Sequence, residues 1–593
     1  METIPMETER TIEQASLPTT IYLRTSLPEQ TSVPPPSTTD AISILLDPQE
    51  EELFQLLVKV ADAFAAGDID LEEWQMQPET RPSHVVIRVA GGWVRDKVVQ
   101  EYGGSYDVDL AVQHMTGVQL AKLIQMYVQK TYDNAAATDI NNKDGAKDRI
   151  QMSRRMGIIA ANPAQSKHLE TATFRLCGID MDLCNLRANE VYTDDSRIPT
   201  VRLGTPLEDA LRRDFTVNAL FYNLHSRQVE DWTGRAVRDL LETKLLVTPL
   251  EPVQTFRDDP LRILRAVRFA VRLQLSMDVA LQDAARLPEI RQALAVKVSR
   301  ERFGKELEGM LSGKNARPLE ALKTIFNLGL TSIVFCLPET NVDKIGGIQG
   351  RVLGELFDPS NETLLDRTWS ESEALLTTAA SLWERCTSIM QEPHSINKRL
   401  LPLAIILSPL RNLQYYETKK PDRLLSVVEY IMRESIKFKK DDAAAMVLLT
   451  DHVDSMIGLL EQNKNDNVTR LQAGMLLRSV REYWPTALMF AAVLKTRQDE
   501  SLDWVEQAGR LFQKIASEYS LDECWKITPL LNGKVLQKTF GKGPTVGLYM
   551  QEQIRWMLAN PHGNADECLN YLKGYEPDSA LEEPKQKKAH INP

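Results

Sequence analysis

With 593 residues, 43% of them hydrophobic and 26% charged, the chain has the composition of a globular protein with room for about four domains. Its longest stretch free of charged side chains, Thr324–Pro338, spans 15 residues, short of the ~20 that a membrane-crossing helix requires; its six cysteines form no CxxC pair, which argues against a disulfide-framed domain and a thiolate zinc site and fits a reducing compartment. The net charge of −12 excludes a uniformly basic nucleic-acid binder and leaves room for a local basic groove.

Residues 1–40 hold six of the 30 prolines and no periodic apolar pattern, so they are expected to be disordered. Glu2, Glu7, Glu9, Glu13, Glu29 and Asp40 outnumber Arg10 and Arg24 there, whereas organellar presequences are poor in acids. A cytoplasmic location is expected, with nuclear and mitochondrial pools left open. Apolar spacing predicts a helix from Ala41 to Ala65. Val85, Val86, Ile87 and Val89 predict a strand, broken by Gly91-Gly92, after which Trp93–Tyr102 can be helical. Ser105–Val112 alternates acidic and apolar residues, a strand signal. Asp133–Asp148 has no period and reads as a loop. Further strands are expected at Met156–Ala160, Thr171–Leu176 and Ile179–Cys184. After Leu207 the pattern turns helical and stays so almost to the end. No repeat of 20–50 residues is visible. The expected fold class is α+β: a small N-terminal α/β head followed by a long all-α neck, body and tail. The boundaries expected are 41–253 for the head, 254–350 for the neck, 351–513 for the body and 514–575 for the tail, with a disordered 576–593 segment.

The chemistry concentrates in the head. Asp107 and Asp109 are two residues apart on the predicted strand and project from one face, about 7 Å apart. Two such carboxylates repel unless a cation lies between them. Hard oxygen donors of this kind select Mg²⁺, and two such ions can clamp a phosphoryl transfer. Alone, this pair reads as a solvated strand face. Upstream, however, a strand, the Gly91-Gly92 turn and a helix N-terminus form a cradle of N–H groups suited to phosphate, and Arg95 lies one turn in, within reach of a triphosphate. The combination predicts a nucleotide-polymerising site. A third carboxylate is expected from Asp180 or Asp182. Spacing does not choose between them; we favour Asp182, because Asp180 lies close to the turn that opens the strand. Its role would be to deprotonate or orient the attacking 3′-hydroxyl.

Gly91-Gly92-Trp93-Val94-Arg95-Asp96 with Asp107-Val108-Asp109, then Arg212-Arg213-Asp214-Phe215-Thr216-Val217-Asn218-Ala219, then Asp258-Asp259-Pro260-Leu261-Arg262, together resemble the class II tRNA nucleotidyltransferases, whose close relatives are bacterial poly(A) polymerases. Ser166–Thr173 and the stretch around Asn185-Leu186-Arg187 resemble the fungal and plant branch. The resemblance runs from about Val85 to Glu308 and resumes at Leu531–Pro561. It implies template-independent addition of CCA to tRNA 3′ ends from CTP and ATP, with a poly(A) polymerase on the same scaffold as the alternative. It implies a nucleotide-binding set of Gly91, Gly92, Arg95, Arg213, Asp214, Asn218, Asp258, Asp259, Arg262 and Arg265. Asp107 and Asp109 are the implied metal ligands for two Mg²⁺ ions, and Asp107, Asp109 and Asp182 the catalytic carboxylates. The implied partners are tRNA, ATP and CTP, with no membrane, and the protein is expected to act as a monomer.

Asp259 and Arg262, spaced i, i+3, are expected on one helix face, with Asp259 before Pro260 also suited to cap that helix. The family role of the pair is to read the incoming base, and polarity explains why it suffices. Adenine and cytosine both present an amino donor beside a ring-nitrogen acceptor; the carboxylate takes the first and the guanidinium feeds the second. Guanine and uracil reverse the pattern and leave polar groups unpaired, at about 1–3 kcal/mol each. Asp258 stands where the commoner family pattern has glutamate, one methylene shorter in reach. Asp214 and Asn218, expected at i, i+4 on a helix, would meet the ribose 2′-hydroxyl. Asp231-Trp232-Thr233-Gly234-Arg235 with Asp239 resembles a family element linked to movement between head and neck. Ser299-Arg300-Glu301-Arg302 with Glu306 resembles one that props the base-reading helix. From Arg257 to Lys305, eleven basic residues face six acids, with Arg262, Arg265, Arg268 and Arg272 in a helical stripe, the local basic surface that an acidic nucleic-acid enzyme needs. Lys534, Lys538, Lys542 and Arg555 are the expected contacts to the tRNA elbow.

Overall fold

The computed structural model describes residues 37–38, 42–100, 108–138, 157–159, 171–187, 203–338, 350–352, 355–357, 362–390, 396–417 and 420–577. Asp107, most of the N-terminal segment, the 139–148 part of the predicted loop, Ser166–Glu170 and the last 16 residues lie outside them. The chain divides into two units, Met1–Arg262 with Gln274–Ala284, and Ile263–Leu273 with Ala285–Pro593.

The first unit is built on an eight-stranded sheet: β1 (Ser37–Thr38), β2 (Val86–Ala90), β3 (Val108–Gln113), β4 (Gly157–Ile159), β5 (Thr171–Leu176), β6 (Ile179–Asn185), β7 (Leu220–Asn223) and β8 (Gln228–Asp231), in the order β1-β8-β7-β2-β3-β6-β5-β4. β3 and β6 are parallel; the other neighbours are antiparallel. Val108 and Leu110 point into the core while Asp109 between them is exposed, the alternation a strand imposes. Helix Gly117–Thr138 follows β3. Its start lies so close to β6 that a Cβ at Gly117 would come 2.1 Å from the Leu183 carbonyl oxygen. Gly117→Ala is therefore expected to destabilise the protein by about 2–4 kcal/mol, read as a lower midpoint in urea unfolding; an unchanged midpoint would show that the helix can move away.

Several elements depart from the sequence reading. The first helix begins at Pro48, not Ala41, because Asp47 caps it with its carboxylate on Gln49 and Glu50 and Pro48 fills the first helical position. The helix after Gly91 runs Gly92–Val98. The predicted loop is helical as far as Thr138, since Ala135, Ala136 and Ala137 favour helix. Ser37 and Thr38, inside the segment expected to be disordered, pair with Asp231 and Glu230. Strands β7 and β8 lie where a helical pattern was expected. Leu220-Phe221-Tyr222 is buried on both faces of the sheet, and such a continuous apolar run cannot be told from buried helix by periodicity.

The second unit is mainly helical. Helix Arg262–Leu273 turns Ile263, Leu264, Ala266, Val267, Phe269 and Ala270 inward and its arginines outward. Helix Arg300–Leu311 comes so close to the chain at Ile436 that a Cβ on Gly304 would lie 2.4 Å from that carbonyl oxygen. Arg399 bridges Glu308 and Asp442 with forked contacts of 2.6–2.9 Å. Trp484–Leu494 is buried all round, as a central helix must be. The one described helix long and apolar enough to cross a membrane, Lys440–Asn463, carries a buried stripe that includes Met446, Leu449, Val453, Met456 and Leu460, and it also bears Asp442, the partner of Arg399. A hairpin, Gln414–Glu417 with Lys420–Ser426, interrupts the otherwise helical middle.

Candidate active site

Sheet topology brings the sequence motifs to one end of the sheet. β2 runs antiparallel to both β3 and β7, with Val89 opposite Leu110 and Ala90 opposite Phe221. The end of β2 therefore lies beside the start of β3 and the start of β7. β6 runs parallel to β3 and in register, Asp109 opposite Asp182. Neighbouring strands are about 4.8 Å apart, so these two carboxylates rise side by side. Asp180 is paired across β5 with Arg175, its carboxylate 3.8 Å from that guanidinium and half exposed. The register thus puts Asp182, and not Asp180, opposite Asp109. Among the described residues no group of three or more His, Cys, Asp or Glu side chains is placed to hold a metal; Asp107, the remaining expected ligand, lies outside those residues. Paired carboxylates are nonetheless the donor chemistry of a hard divalent cation.

Gly91 ends β2 with φ +71° and ψ −121°, a conformation open to glycine and strained for any other residue. Its N–H donates to the Leu220 carbonyl at 2.9 Å, which ties the turn to the start of β7. A Cβ there would lie 2.9 Å from Arg213 Nη1. Arg95 is buried: Nε donates to Asp96 at 2.8 Å and Nη1 to Asn218 Oδ1 at 2.5 Å. Asn218 Nδ2 donates in turn to Asp214 Oδ1 at 3.0 Å. Asp214 and Asn218 do not share an α-helix, as the spacing suggested. Helix Pro206–Leu211 ends before them, Phe215 is extended, and Thr216–Asn218 is one 3-10 turn. The Thr216 N–H is drawn to the Val247 carbonyl at 2.9 Å, which pulls the chain out of the helix and into the sheet.

The residue that organises this corner was not singled out in the sequence. Asp209 is 1% exposed. Its Oδ1 accepts from Arg212 Nε at 2.8 Å, from Arg212 Nη2, and from the Arg187 N–H at 3.2 Å; its Oδ2 accepts from Arg213 Nε at 3.1 Å and Nη2 at 2.9 Å. Burial pushes the carboxyl up, but the charges of Arg213 and Arg212 and their hydrogen bonds outweigh it, and the pKa falls from 3.8 to about 2. Asp209 is thus ionised at neutral pH and raises the Arg213 pKa against the opposing effect of burial. The spacing Asp209, Arg212, Arg213 is the i, i+3, i+4 pattern of a helical ion pair, the one signal that was there to read.

Asp259 and Arg262 also differ from expectation. Helix Pro252–Asp258 ends first, Asp259 is extended with φ −143°, and the next helix begins at Arg262. The residue before a proline is biased away from helix. Asp259 Oδ1 accepts from the Leu261 N–H at 3.1 Å, the capping interaction that Asp before Pro suggested. The pair therefore straddles a helix start instead of sharing a helix face. Arg262 Nη2 donates to the Arg212 carbonyl at 2.8 Å and Nη1 to Thr255 at 3.4 Å, and Asp258 accepts from Gln254 at 2.8 Å.

Further along, Asp231 and Thr233 form a capped turn with Gly234 at φ +69°. It leads into helix Ala236–Leu241, whose Asp239 accepts from Arg235 at 2.9 and 3.0 Å and from Thr216 at 2.7 Å. In the second unit, Glu306 accepts from Arg268 at 2.6 Å and lies 3.6 Å from Arg265. The arginine stripe is only partly exposed for this reason. Lys534, Lys538, Lys542 and Arg555 are exposed. Their helices, Gly533–Phe540 and Thr545–Ala559, are joined by buried Gln553, which bonds both backbone groups of Leu531 at 2.9 and 3.1 Å.

Residues 87–246 match the family described as the Poly A polymerase head domain, which makes the first unit a nucleotidyltransferase head. The chain is 34% identical over 511 residues to the mitochondrial CCA tRNA nucleotidyltransferase of Saccharomyces cerevisiae, covering 84% of this chain and 89% of that one. It is 31% identical over 542 residues to tRNA nucleotidyltransferase cca1 of Schizosaccharomyces pombe, covering 88% and 95%. In fold it is similar to the Thermotoga maritima CCA-adding enzyme solved with tRNA, with a TM-score of 0.53 over 89% of this chain and 96% of the other at 16% identity. The chain belongs to the CCA tRNA nucleotidyltransferase family, and the expected α+β fold class holds.

Proposed function

We infer that this protein adds C, C and A to the 3′ ends of tRNA from CTP and ATP, releasing pyrophosphate without a nucleic-acid template. The near-full-length similarity to CCA tRNA nucleotidyltransferases supports this reading over a poly(A) polymerase, which the head alone would also allow. The observation that carries the chemistry is the register of Asp109 beside Asp182, next to the Gly91 turn.

Asp107 and Asp109 would hold two Mg²⁺ ions. When bound, these supply charge neutralisation along the triphosphate. Asp182 orients the tRNA 3′-hydroxyl and takes its proton as the 3′-oxygen bonds the α-phosphorus. The bond from that phosphorus to the β-phosphate bridging oxygen breaks, and pyrophosphate leaves. Gly91, Gly92, Arg95 and Arg213 form the wall that receives the triphosphate. Asp214 and Asn218, bonded to each other at 3.0 Å, present polar atoms to the ribose 2′-hydroxyl. Asp259 and Arg262 select the base, and Asp258 and Arg265 complete the nucleotide-binding set that the family motif implies. Lys534, Lys538, Lys542 and Arg555 hold the tRNA elbow. The protein acts as a monomer and has a mitochondrial pool, which the name of the Saccharomyces cerevisiae relative supports, alongside cytoplasmic and nuclear ones.

The base-reading role is tested by Arg262→Ala. Losing one donor to the base edge removes about 1–3 kcal/mol of discrimination, about tenfold or more. Incorporation of U or G relative to C and A should rise by that factor in single-nucleotide assays on tRNA lacking its CCA end. A fall in overall rate with selectivity unchanged would place Arg262 in packing, through its bond to the Arg212 carbonyl.

A further inference from the structure

We propose that Asp209 is a positioning residue for the nucleotide triphosphate, acting by holding the Arg212–Arg213 pair in one geometry. The proposal rests on the assignment of Arg213 to the triphosphate. Three observations support it. The carboxylate of Asp209 spends both oxygens on the two guanidinium groups, Oδ2 on Nε and Nη2 of Arg213 and Oδ1 on Arg212. This leaves Nη1 of Arg213 turned to the other side, where it donates to the Asn218 carbonyl at 3.1 Å and stands against the face of Gly91. Arg213 also lies over the Phe221 ring, its guanidinium carbon 5.0 Å from the ring centroid. The side chain is thus fixed from three directions, and Asp209 is the only charged one among them in the described contacts.

Fixing matters because a free arginine loses rotamer freedom when it engages a phosphate. An arginine already locked beside the glycine turn has lost that freedom before the nucleotide arrives. The same carboxylate bonds the Arg187 N–H at 3.2 Å, just beyond β6. Asp209 therefore ties the arginine pair to the strand that carries Asp182. Its partner Arg212 offers its carbonyl to Arg262 at 2.8 Å, so the arginine pair is also joined to the base-reading arginine.

The test is steady-state kinetics with CTP and with ATP on tRNA lacking the added nucleotides, using the full chain, with inorganic tripolyphosphate as an inhibitor. Asp209→Asn keeps the shape and removes the charge. It should raise KM for both nucleotides about tenfold, leave kcat within about threefold, and weaken tripolyphosphate inhibition by the same factor as KM. A residue that only stabilises the fold would lower the active fraction, and so the apparent kcat, while leaving KM and the tripolyphosphate constant at the parent values; that outcome overturns the proposal. If Asp209→Asn does not fold, Asp209→Glu decides. A raised KM with parental kcat supports the positioning role, and a parental KM rejects it. Arg213→Ala separates this inference from the one beneath it. If Arg213→Ala leaves the tripolyphosphate constant unchanged, the triphosphate assignment is wrong and the positioning role falls with it. If it weakens inhibition while Asp209→Asn does not, only the positioning role fails. In the double variant, KM should be no higher than in Arg213→Ala alone.

Discussion

Replacing Asp109 with alanine is expected to lower incorporation of C and of A together, by about a thousandfold or more, because a ligand-deficient metal site loses several kcal/mol of transition-state stabilisation. The side chain rises from an exposed position between buried Val108 and Leu110, so its removal leaves no cavity in the core, and the melting temperature should move little. tRNA binding, measured by gel shift without nucleotide, should stay within about threefold, since a carboxylate does not attract phosphate. Asp107→Ala, two residues away on the same strand face by the sequence pattern, should behave alike. Asp180→Ala should behave differently. Its carboxylate faces Arg175 at the exposed start of β6, and the variant should keep most of its activity. If Asp180→Ala were as damaging as Asp182→Ala, the third carboxylate would be misassigned.

Neutralising Lys534, Lys538, Lys542 and Arg555 together, each to glutamine, is expected to weaken tRNA binding steeply at low salt. Four phosphate contacts give a slope of about −3 to −4 in log K against log salt, so the parent should lose about a hundredfold in affinity between 50 and 200 mM salt while the variant loses far less. A minihelix lacking the elbow should bind parent and variant alike. Deleting the chain from Leu530 onward is a poorer test. Leu558 lies against Gly474, where an added Cβ would come within 2.7 Å of it, and Arg470 donates to the Leu558 carbonyl. The tail is therefore part of the packing of helix Arg470–Val480, and its removal would uncover that core. Equal loss on full tRNA and minihelix would show that these four charges do not contact the elbow.

What the sequence made legible was set by local rules. The strand before Gly91, the glycine turn and the Thr171–Leu176 and Ile179–Asn185 hairpin all announce themselves through β-branched runs and turn residues. Asp180 and Asp182 could not be separated that way. Each is flanked by apolar residues in the chain, and only the register of β6 on β3, a contact between residues more than 70 positions apart, places Asp182 beside Asp109. β7 was hidden because Leu220-Phe221-Tyr222 is buried on both faces and shows no alternation. With β7 hidden, the i, i+4 spacing puts Asp214 and Asn218 on a helix; the segment is instead one 3-10 turn, and their side chains still meet. An acid three and four residues ahead of two arginines looks, in sequence, like an ordinary helical ion pair; the burial of Asp209, which gives it meaning, follows from the sheet packing around it. Asp259 and Arg262 show the opposite lesson. Their spacing suggested a shared helix face, yet Asp-Pro itself carried the signal for a helix start between them.

Whether this chain builds CCA is read in one incubation. The purified protein is mixed with tRNA lacking its last three nucleotides, with Mg²⁺ and each nucleotide alone or CTP with ATP, and the products are resolved to single-nucleotide length. Extension by two residues with CTP alone, by three with CTP and ATP, and none with UTP or GTP is the expected result. A ladder of many residues from ATP alone, with no use of CTP, would contradict it and make the protein a poly(A) polymerase.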